Sequence, residues 1–263
     1  MVKLIASDMD GTLLNKHGEI NDEFFSVFDK LKEKDIIFCA ASGRQYYNLL
    51  KKFEKVKDDV MFIAENGTFV VYKGEELIVN SLDKEIAKEL IRIGRTIDNS
   101  YVIVCGKNSA YIENTDERFV KEARKYYERC LIVDDLEEIE DDILKVTMCD
   151  FAGAEKNSNN YFKEYVDKLQ VTVSGQIWLD ITANNVNKGL AIEMVQNKLN
   201  ISEKETMVFG DYLNDLEMMQ KAHYSFAMEN AHEDLKKDSN FIAKSNEENG
   251  VVEKIKEIVL VES

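Results

Sequence analysis

Asp8 and Asp10 follow directly on the apolar run Leu4-Ile5-Ala6-Ser7, in the string Asp8-Met9-Asp10-Gly11-Thr12. Carboxylates two residues apart leave a strand on the same side. Like charges at that separation repel, so the pair is costly unless a cation lies between them or one is protonated. Their position therefore restricts how the first strand can end and what can surround it. Asp-x-Asp-Gly also occurs in ordinary strand-to-helix turns, and only the rest of the chain decides between a polar turn and a site.

The segments that follow alternate in period. Lys3–Ser7, Ile36–Ala41 and Met61–Ala64 read as buried strands. Asn21–Lys34 reads as a helix capped by Asn21, with Phe24, Phe28 and Leu31 at i, i+4 and i+7, and Gln45–Phe53 as a second helix. Thr68–Tyr72 and Glu76–Val79 flank Lys73-Gly74-Glu75 as a hairpin. The last part repeats the alternation, with helices predicted over Lys188–Asn200, Leu213–Ala222 and Gly250–Val261 and strands over Thr206–Phe209 and Ser225–Met228. Alternating strands and helices imply a parallel sheet covered on both faces.

Between these parts the pattern changes. Helical stretches at Lys84–Ile97, Glu117–Arg129 and Asn157–Leu169 mix with strand-like runs at Tyr101–Cys105, Ala110–Glu113, Leu144–Asp150, Val171–Ser174 and Ile177–Ile181. Closely spaced strands fit an antiparallel sheet with helices on one face. The expected fold class is α/β. Residues 1–81 and 185–263 form a Rossmann-like parallel-sheet core, and residues 82–184 form an inserted α+β domain.

The 263 residues, 44% of them hydrophobic, suffice for two modest domains. No apolar run approaches the roughly 20 residues that cross a bilayer, and the N-terminus reaches Asp8 too soon for a signal peptide, so a cytoplasmic protein is expected. The formal charge of −16 argues against nucleic acid and anionic membranes. It leaves a small anionic substrate open, because a local cation reverses the potential inside a cleft. The four cysteines contain no Cys-x-x-Cys pair and read as reduced thiols, and the three histidines show no metal-ligand spacing.

Open α/β sheets bind ligands beyond the carboxyl ends of their strands. Asp8 and Asp10 follow the first strand, Ser42-Gly43-Arg44 the second, and Gly210-Asp211-Tyr212-Leu213-Asn214-Asp215 the strand Thr206–Phe209. If these strands are neighbours, the three groups converge. Asp8, Asp211 and Asp215 are hard oxygen donors suited to Mg²⁺. Ser42, backbone N–H groups at Met9, Asp10 and Gly43, and Lys188 at a helix start could hold a phosphate. A carboxylate can attack phosphorus, and Asp10 beside it could protonate the leaving oxygen and then deprotonate water. Taken singly, each group has a plain reading as a turn, a solvated lysine or a helix N-terminal carboxylate.

Asp8-Met9-Asp10-Gly11-Thr12, Ser42-Gly43-Arg44, Asn187-Lys188-Gly189 and Gly210-Asp211 through Asn214-Asp215 together resemble the four motifs of the haloacid dehalogenase superfamily. The insert resembles the C2-type cap of its Cof-like branch. Glu65-Asn66-Gly67, Met228-Glu229-Asn230-Ala231 and Asn246-Glu247-Glu248-Asn249-Gly250-Val251 are similar to further segments of that branch. The resemblance implies Asp8 as nucleophile and metal ligand, and Asp10 as general acid/base with its backbone carbonyl on the metal. Ser42 and Lys188 would hold the phosphoryl group, and Asp211 and Asp215 would complete an Mg²⁺ site. Gly43, Arg44, Asn66, Asn214 and Asn230 would be substrate contacts. Tyr212 stands where a small residue is common in the branch, and Glu229 and Asn185 where glycine is.

The expected activity is Mg²⁺-dependent hydrolysis of small phosphorylated metabolites, sugar phosphates foremost, with the insert acting as a lid that reads the sugar. A phosphomutase on the same framework is one alternative and a non-catalytic sugar-phosphate-binding regulator another. The twin carboxylates weigh against the second, since binding alone needs no nucleophile beside an acid/base. Oligomeric state is not read from the sequence.

Overall fold

The computed structural model describes residues 1–260. It divides into two compact units, Met1–Ile78 with the segment from Asn187 onward, and Val79–Val186.

The first unit opens with β1 (Leu4–Ser7), α1 (Asp22–Glu33), β2 (Ile37–Ala41), α2 (Tyr46–Lys52), β3 (Met61–Ala64), β4 (Phe69–Tyr72) and β5 (Glu75–Val79). Asn21 caps α1, its Oδ1 accepting from the Glu23 N–H at 2.9 Å. Phe24, Val27, Phe28 and Leu31 form the buried stripe of that helix. The Phe24 ring lies 4.9 Å from Phe38 on β2 and 5.9 Å from Phe53 after α2, so three consecutive elements share one aromatic cluster. The hairpin turn has Lys73 at φ 51° and Gly74 at φ 77°, two left-handed residues in succession, which suits the twist of a tight hairpin.

In the second unit, α3 (Lys84–Gly94), β6 (Ser100–Gly106), β7 (Ala110–Ile112), α4 (Glu117–Tyr126), β8 (Cys130–Ile132), β9 (Ile143–Asp150), β10 (Leu169–Gly175) and β11 (Trp178–Ala183) follow in order. They build a six-stranded sheet ordered β10-β11-β9-β6-β7-β8. Three expectations need correction here. The sheet is mostly antiparallel, but β7 and β8 run parallel, joined by α4. The helices also lie on both faces. Val102, Val104, Val146 and Met148 pack with Leu90 and Ile91 of α3, while Ile103, Cys105 and Cys149 pack with Phe119 and Ala123 of α4. Successive strand residues point to opposite faces, so the unbroken apolar run of β6 demands cover on each side. The stretch expected as a helix over Asn157–Leu169 is a 3₁₀ segment, Ser158–Tyr165.

The chain then returns to the first unit with α5 (Lys188–Leu199), β12 (Thr206–Gly210), α6 (Leu216–Met219), β13 (Tyr224–Met228), α7 (Glu233–Asp238), β14 (Phe241–Ala243) and α8 (Gly250–Val259). The predicted helix over Leu213–Ala222 is shorter, a 3₁₀ turn at Leu213–Asp215 leading into α6. The closing helix was expected to reach Val261, which lies outside the described residues. The main sheet has the order β14-β13-β12-β1-β2-β3-β4-β5, with parallel pairing from β14 to β3 and β4 antiparallel to β3. The fold is thus α/β, a parallel-sheet core interrupted by an α+β insert. Among the described residues no helix is long and apolar enough to cross a membrane.

Phe38 is fully buried within the aromatic cluster. Replacing it with alanine should cost about 3–5 kcal/mol, the usual range for deleting a core aromatic ring. Urea unfolding followed by a probe in the first unit would show the shifted midpoint, and a loss below about 1 kcal/mol would mean that the cluster is not central to that core.

Candidate active site

The strand order makes β12, β1 and β2 neighbours, all parallel, so their carboxyl ends share one edge. Asp211 follows β12, Asp8 follows β1 and Ser42 follows β2. This is the juxtaposition that the sequence required of neighbouring strands.

The Asp8 N–H donates to the Phe209 carbonyl at 2.9 Å, which extends the sheet by one bond and fixes where the carboxylate leaves it. The chain then turns sharply at Gly11, with φ 79°. A Cβ there would lie 2.2 Å from Asp211 Oδ2, so only glycine lets the turn and the Asp211 carboxylate coexist. The Thr12 hydroxyl next to it donates to Asp211 Oδ1 at 3.3 Å.

Lys188 is the first residue of α5, a helix capped by the Asn187 side chain, which accepts from the Leu190 N–H at 2.8 Å. Its side chain is wholly buried, and Nζ lies 2.5 Å from Asp8 Oδ1 and 2.7 Å from Asp215 Oδ1. The other Asp215 oxygen accepts from the backbone N–H groups of Asp211 at 3.1 Å and Tyr212 at 3.3 Å. Asp215 thus links the lysine to the turn carrying Asp211. At Gly189 a Cβ would stand 2.4 Å from the Glu217 carbonyl carbon, so glycine permits the close approach of α5 to α6 that seats the lysine.

The charges do not cancel. Oxygens of Asp8, Asp211 and Asp215 all lie within 4.8 Å of one another, with Lys188 as the cation among them. Burial pushes the Asp8 carboxyl well above the usual carboxylate range, against the pull of Lys188, and Asp215 and Asp211 push it further. Burial likewise raises Asp211 to about 6, with repulsion from Asp215 adding to it. For Lys188, burial acts downward, but the Asp215 and Asp8 carboxylates outweigh it and hold the ammonium above its ordinary range. Three carboxylates against one ammonium leave a surplus of negative charge in a buried pocket. Oxygen donors of this kind fit a hard divalent cation, which would remove the surplus.

The remaining expected residues sit around this centre. Ser42 is buried, and its Oγ accepts from the Arg44 N–H at 3.1 Å, which leaves the hydroxyl hydrogen available as a donor. Gly43 runs close beside Asn66, whose Nδ2 would stand 3.0 Å from a Cβ at that position. Asn66 Oδ1 accepts from Asn214 Nδ2 at 3.3 Å, so the loop after β3 touches the turn after β12. Asn230 Nδ2 donates to the Gly11 carbonyl at 2.8 Å, and its Oδ1 accepts from the Asn246 N–H at 3.2 Å. Asp10 is bound by Arg44 and not by the lysine. Its carboxylate is more than half exposed and takes both arms of the Arg44 guanidinium, Nε to Oδ2 at 2.6 Å and Nη2 to Oδ1 at 2.7 Å.

Sequence reasoning gave no role to Thr12, Asn48 or Asn246. Asn48 accepts from Arg44 Nη1 at 2.9 Å, and Asn246 Nδ2 donates to the Leu14 carbonyl at 2.8 Å. The four-residue step from Arg44 to Asn48 into a predicted helix was a readable signal. No comparable signal marked Asn246, whose partner lies 232 residues away.

A parallel sheet with acidic and hydroxyl groups at adjacent strand ends and a buried lysine reaching across them defines a class of phosphoryl-transfer cores. The chain belongs to the haloacid dehalogenase-like hydrolases, whose profile matches residues 5–255. It is 33% identical over 261 residues, 98% of this chain and 96% of the other, to the 5-amino-6-(5-phospho-D-ribitylamino)uracil phosphatase YbjI of Escherichia coli. Its fold matches SMU.1108c of Streptococcus mutans with a TM-score of 0.87 at 30% identity, covering 99% of this chain and 100% of that one. TM0651 of Thermotoga maritima matches with a TM-score of 0.88 at 27% identity, covering 98% of each chain. The chain is accordingly a phosphatase of this family.

The raised Asp211 carboxyl carries a pH signature. In the unfolded chain it ionises near its ordinary 3.8, and in the folded, metal-free protein only near 6. Its contribution to stability is therefore complete below the lower value and is lost as pH rises through the upper one. Denaturant unfolding of metal-free protein across that window should show a fall that Asp211→Asn reduces. Identical pH profiles for the two proteins would refute the shift.

Proposed function

We propose that the protein is an Mg²⁺-dependent phosphatase of small phosphorylated metabolites, with sugar and polyol phosphates as the substrate class, working through an aspartyl-phosphate on Asp8. The observation that carries this reading is the buried Asp8 carboxylate, fixed by Lys188 beside two further carboxylates that one ammonium does not neutralise. Asp8, Asp211, Asp215 and the Asp10 backbone carbonyl would hold the metal. When bound, Mg²⁺ would supply the positive charge that lets a phosphate dianion approach these carboxylates.

The protein's own groups supply the rest. The second Asp8 oxygen attacks phosphorus while Lys188 holds the first. Ser42 O–H, the Gly43 N–H and the remaining Lys188 donor take the phosphoryl oxygens. As the bond from phosphorus to the ester oxygen breaks, Asp10 gives that oxygen a proton. It then accepts one from the water that attacks the acyl phosphate, and Asp8 and inorganic phosphate are released. Gly43, Asn66, Asn214 and Asn230 are the proposed contacts to the substrate. Arg44 is engaged by Asp10 and Asn48, so it enters the reaction through Asp10.

The Escherichia coli relative is named for a substrate with a phosphate on a ribityl chain, which supports including open-chain polyol phosphates beside cyclic sugars. A net charge of −16 favours a free metabolite over nucleic acid as partner. Residues 82–184 are proposed as the cap domain that discriminates among substrates.

A panel of phosphorylated metabolites, assayed for phosphate release with and without Mg²⁺, tests the reading. Activity should disappear in EDTA, return with Mg²⁺ and return poorly with Ca²⁺, whose coordination is looser and higher. Full activity in chelator would remove the metal from the proposal. Asp8→Asn should form no acid-stable phosphoenzyme. Asp10→Asn should still form one from an aryl phosphate but turn it over about 10²–10⁴-fold more slowly, the range of general acid–base assistance. Normal turnover by Asp8→Asn would sink the nucleophile assignment.

A further inference from the structure

Asp10 stands differently from the other carboxylates of the site. Its side chain is 57% exposed, and its only side-chain partner among the described residues is Arg44. The Arg44 side chain is 19% exposed and fixed from several directions. Nη1 donates to Asn48 on α2, its backbone N–H donates to Ser42 Oγ, and its carbonyl accepts from the Glu65 N–H at 3.1 Å. Four residues past Asn48, Lys52 donates to the Gly18 carbonyl. Arg44, Asn48 and Lys52 therefore form one line at four-residue spacing, two members on α2 and one just before it. The line grips the loop after β1 at Asp10 and again at Gly18.

We propose that Arg44 is a positioning residue for Asp10, holding the acid/base carboxylate in one orientation from the rigid α2 side of the site. An exposed aspartate with rotatable χ1 and χ2 would otherwise sample several rotamers, and proton transfer to a leaving oxygen requires approach to hydrogen-bond distance. A guanidinium fork satisfies both carboxylate oxygens in one plane, which a lysine cannot do. Bonds at its own N–H and carbonyl and a helix side chain hold this arginine in place, so the fork is presented to Asp10 from a fixed position. During the first half-reaction one Asp10 oxygen turns its proton to the ester oxygen and the other stays on Arg44. The carboxylate so formed is held by both arms of the fork, and in the second half-reaction one of its oxygens leaves the fork to take a proton from the attacking water.

The inference rests on Asp10 being the acid/base, and the leaving group separates the two claims. An alkoxide needs a proton to depart, whereas p-nitrophenolate needs little help. Arg44→Ala should lower kcat for an alkyl phosphate by about 10²-fold with KM little changed, yet form the phosphoenzyme from p-nitrophenyl phosphate at within about 3-fold of the normal rate. Rapid acid quench should then show that phosphoenzyme accumulating, because its hydrolysis also runs through Asp10. Added guanidinium ion should restore part of the alkyl-ester rate, and Arg44→Lys should retain part of it. Asn48→Ala, which loosens the anchor and leaves the fork, should give the same pattern more weakly and serves if Arg44→Ala does not fold. In an Asp10→Asn background, Arg44→Ala should add almost nothing.

Two results would overturn the proposal: a KM increase equal for both leaving groups, which would make Arg44 a direct substrate contact, or full additivity with Asp10→Asn. If Asp10→Asn itself shows no dependence on leaving group, the acid/base reading of Asp10 fails instead, and the two failures are told apart by that variant alone.

Discussion

The ammonium of Lys188 is the interaction on which the rest of the site depends. It is fully buried, and it joins a carboxylate at the end of β1 to one on the turn after β12. A buried charge with one partner removed is strongly unfavourable, so each of the three groups constrains the other two. The helix start at Asn187, the glycine that lets α5 approach α6, and the turn from Asp211 to Asp215 must all be in place for Nζ to reach both oxygens. The cluster is nevertheless short of positive charge. A pocket organised this tightly yet left electrostatically incomplete is suited to binding and chemistry more than to stability.

The supports around that centre run mainly through the backbone. Glu65, Asn66 and Gly67 adopt φ of 48°, 56° and 105°, three left-handed residues in a row. Non-glycine residues there carry a conformational cost that the surroundings must hold in place. The Asn66 N–H donates to the Ser42 carbonyl and the Glu65 N–H to the Arg44 carbonyl, so the strained loop is bonded to both ends of Ser42-Gly43-Arg44. The segment after β2 is thereby fixed between its own helix and the loop after β3. Asn230 and Asn246 brace the opposite side by taking up the carbonyls of Gly11 and Leu14.

Much of this was legible in the sequence because it is local. Strand ends carrying Asp8, Ser42 and Asp211 could be read from apolar runs that stop at polar residues, and a parallel sheet makes those ends face one way. The capping role of Asn21 could likewise be read from a single residue type at a helix start. What the sequence did not disclose depends on long-range geometry. β8 and β14 are three-residue strands, too short to show a period, and exist because a neighbour offers an edge. Helices on both faces of the second sheet were missed because β6 is apolar without a break from Tyr101 to Cys105, and an unbroken run does not say which side is covered. The direction in which Asp10 points was also hidden, since it depends on where Arg44 is anchored and not on the spacing of Asp8 and Asp10.

The departures from the family pattern fall where this geometry tolerates them. Asn185 adopts φ 57°, the left-handed conformation that a glycine would otherwise supply, so the turn before Lys188 keeps its path. Tyr212 contributes its backbone N–H to Asp215, a bond that any residue except proline could make, while its side chain is 58% exposed. Glu229 is exposed as well, beside an Asn230 whose bonds to Gly11 and Asn246 are intact. The buried charges accept little variation because Asp8 and Asp215 each depend on Lys188, and Lys188 on both. The exposed positions next to them carry side chains that none of those bonds uses. Divergence within such a framework is therefore free to change what the site admits while leaving in place the groups that would break and form bonds to phosphorus.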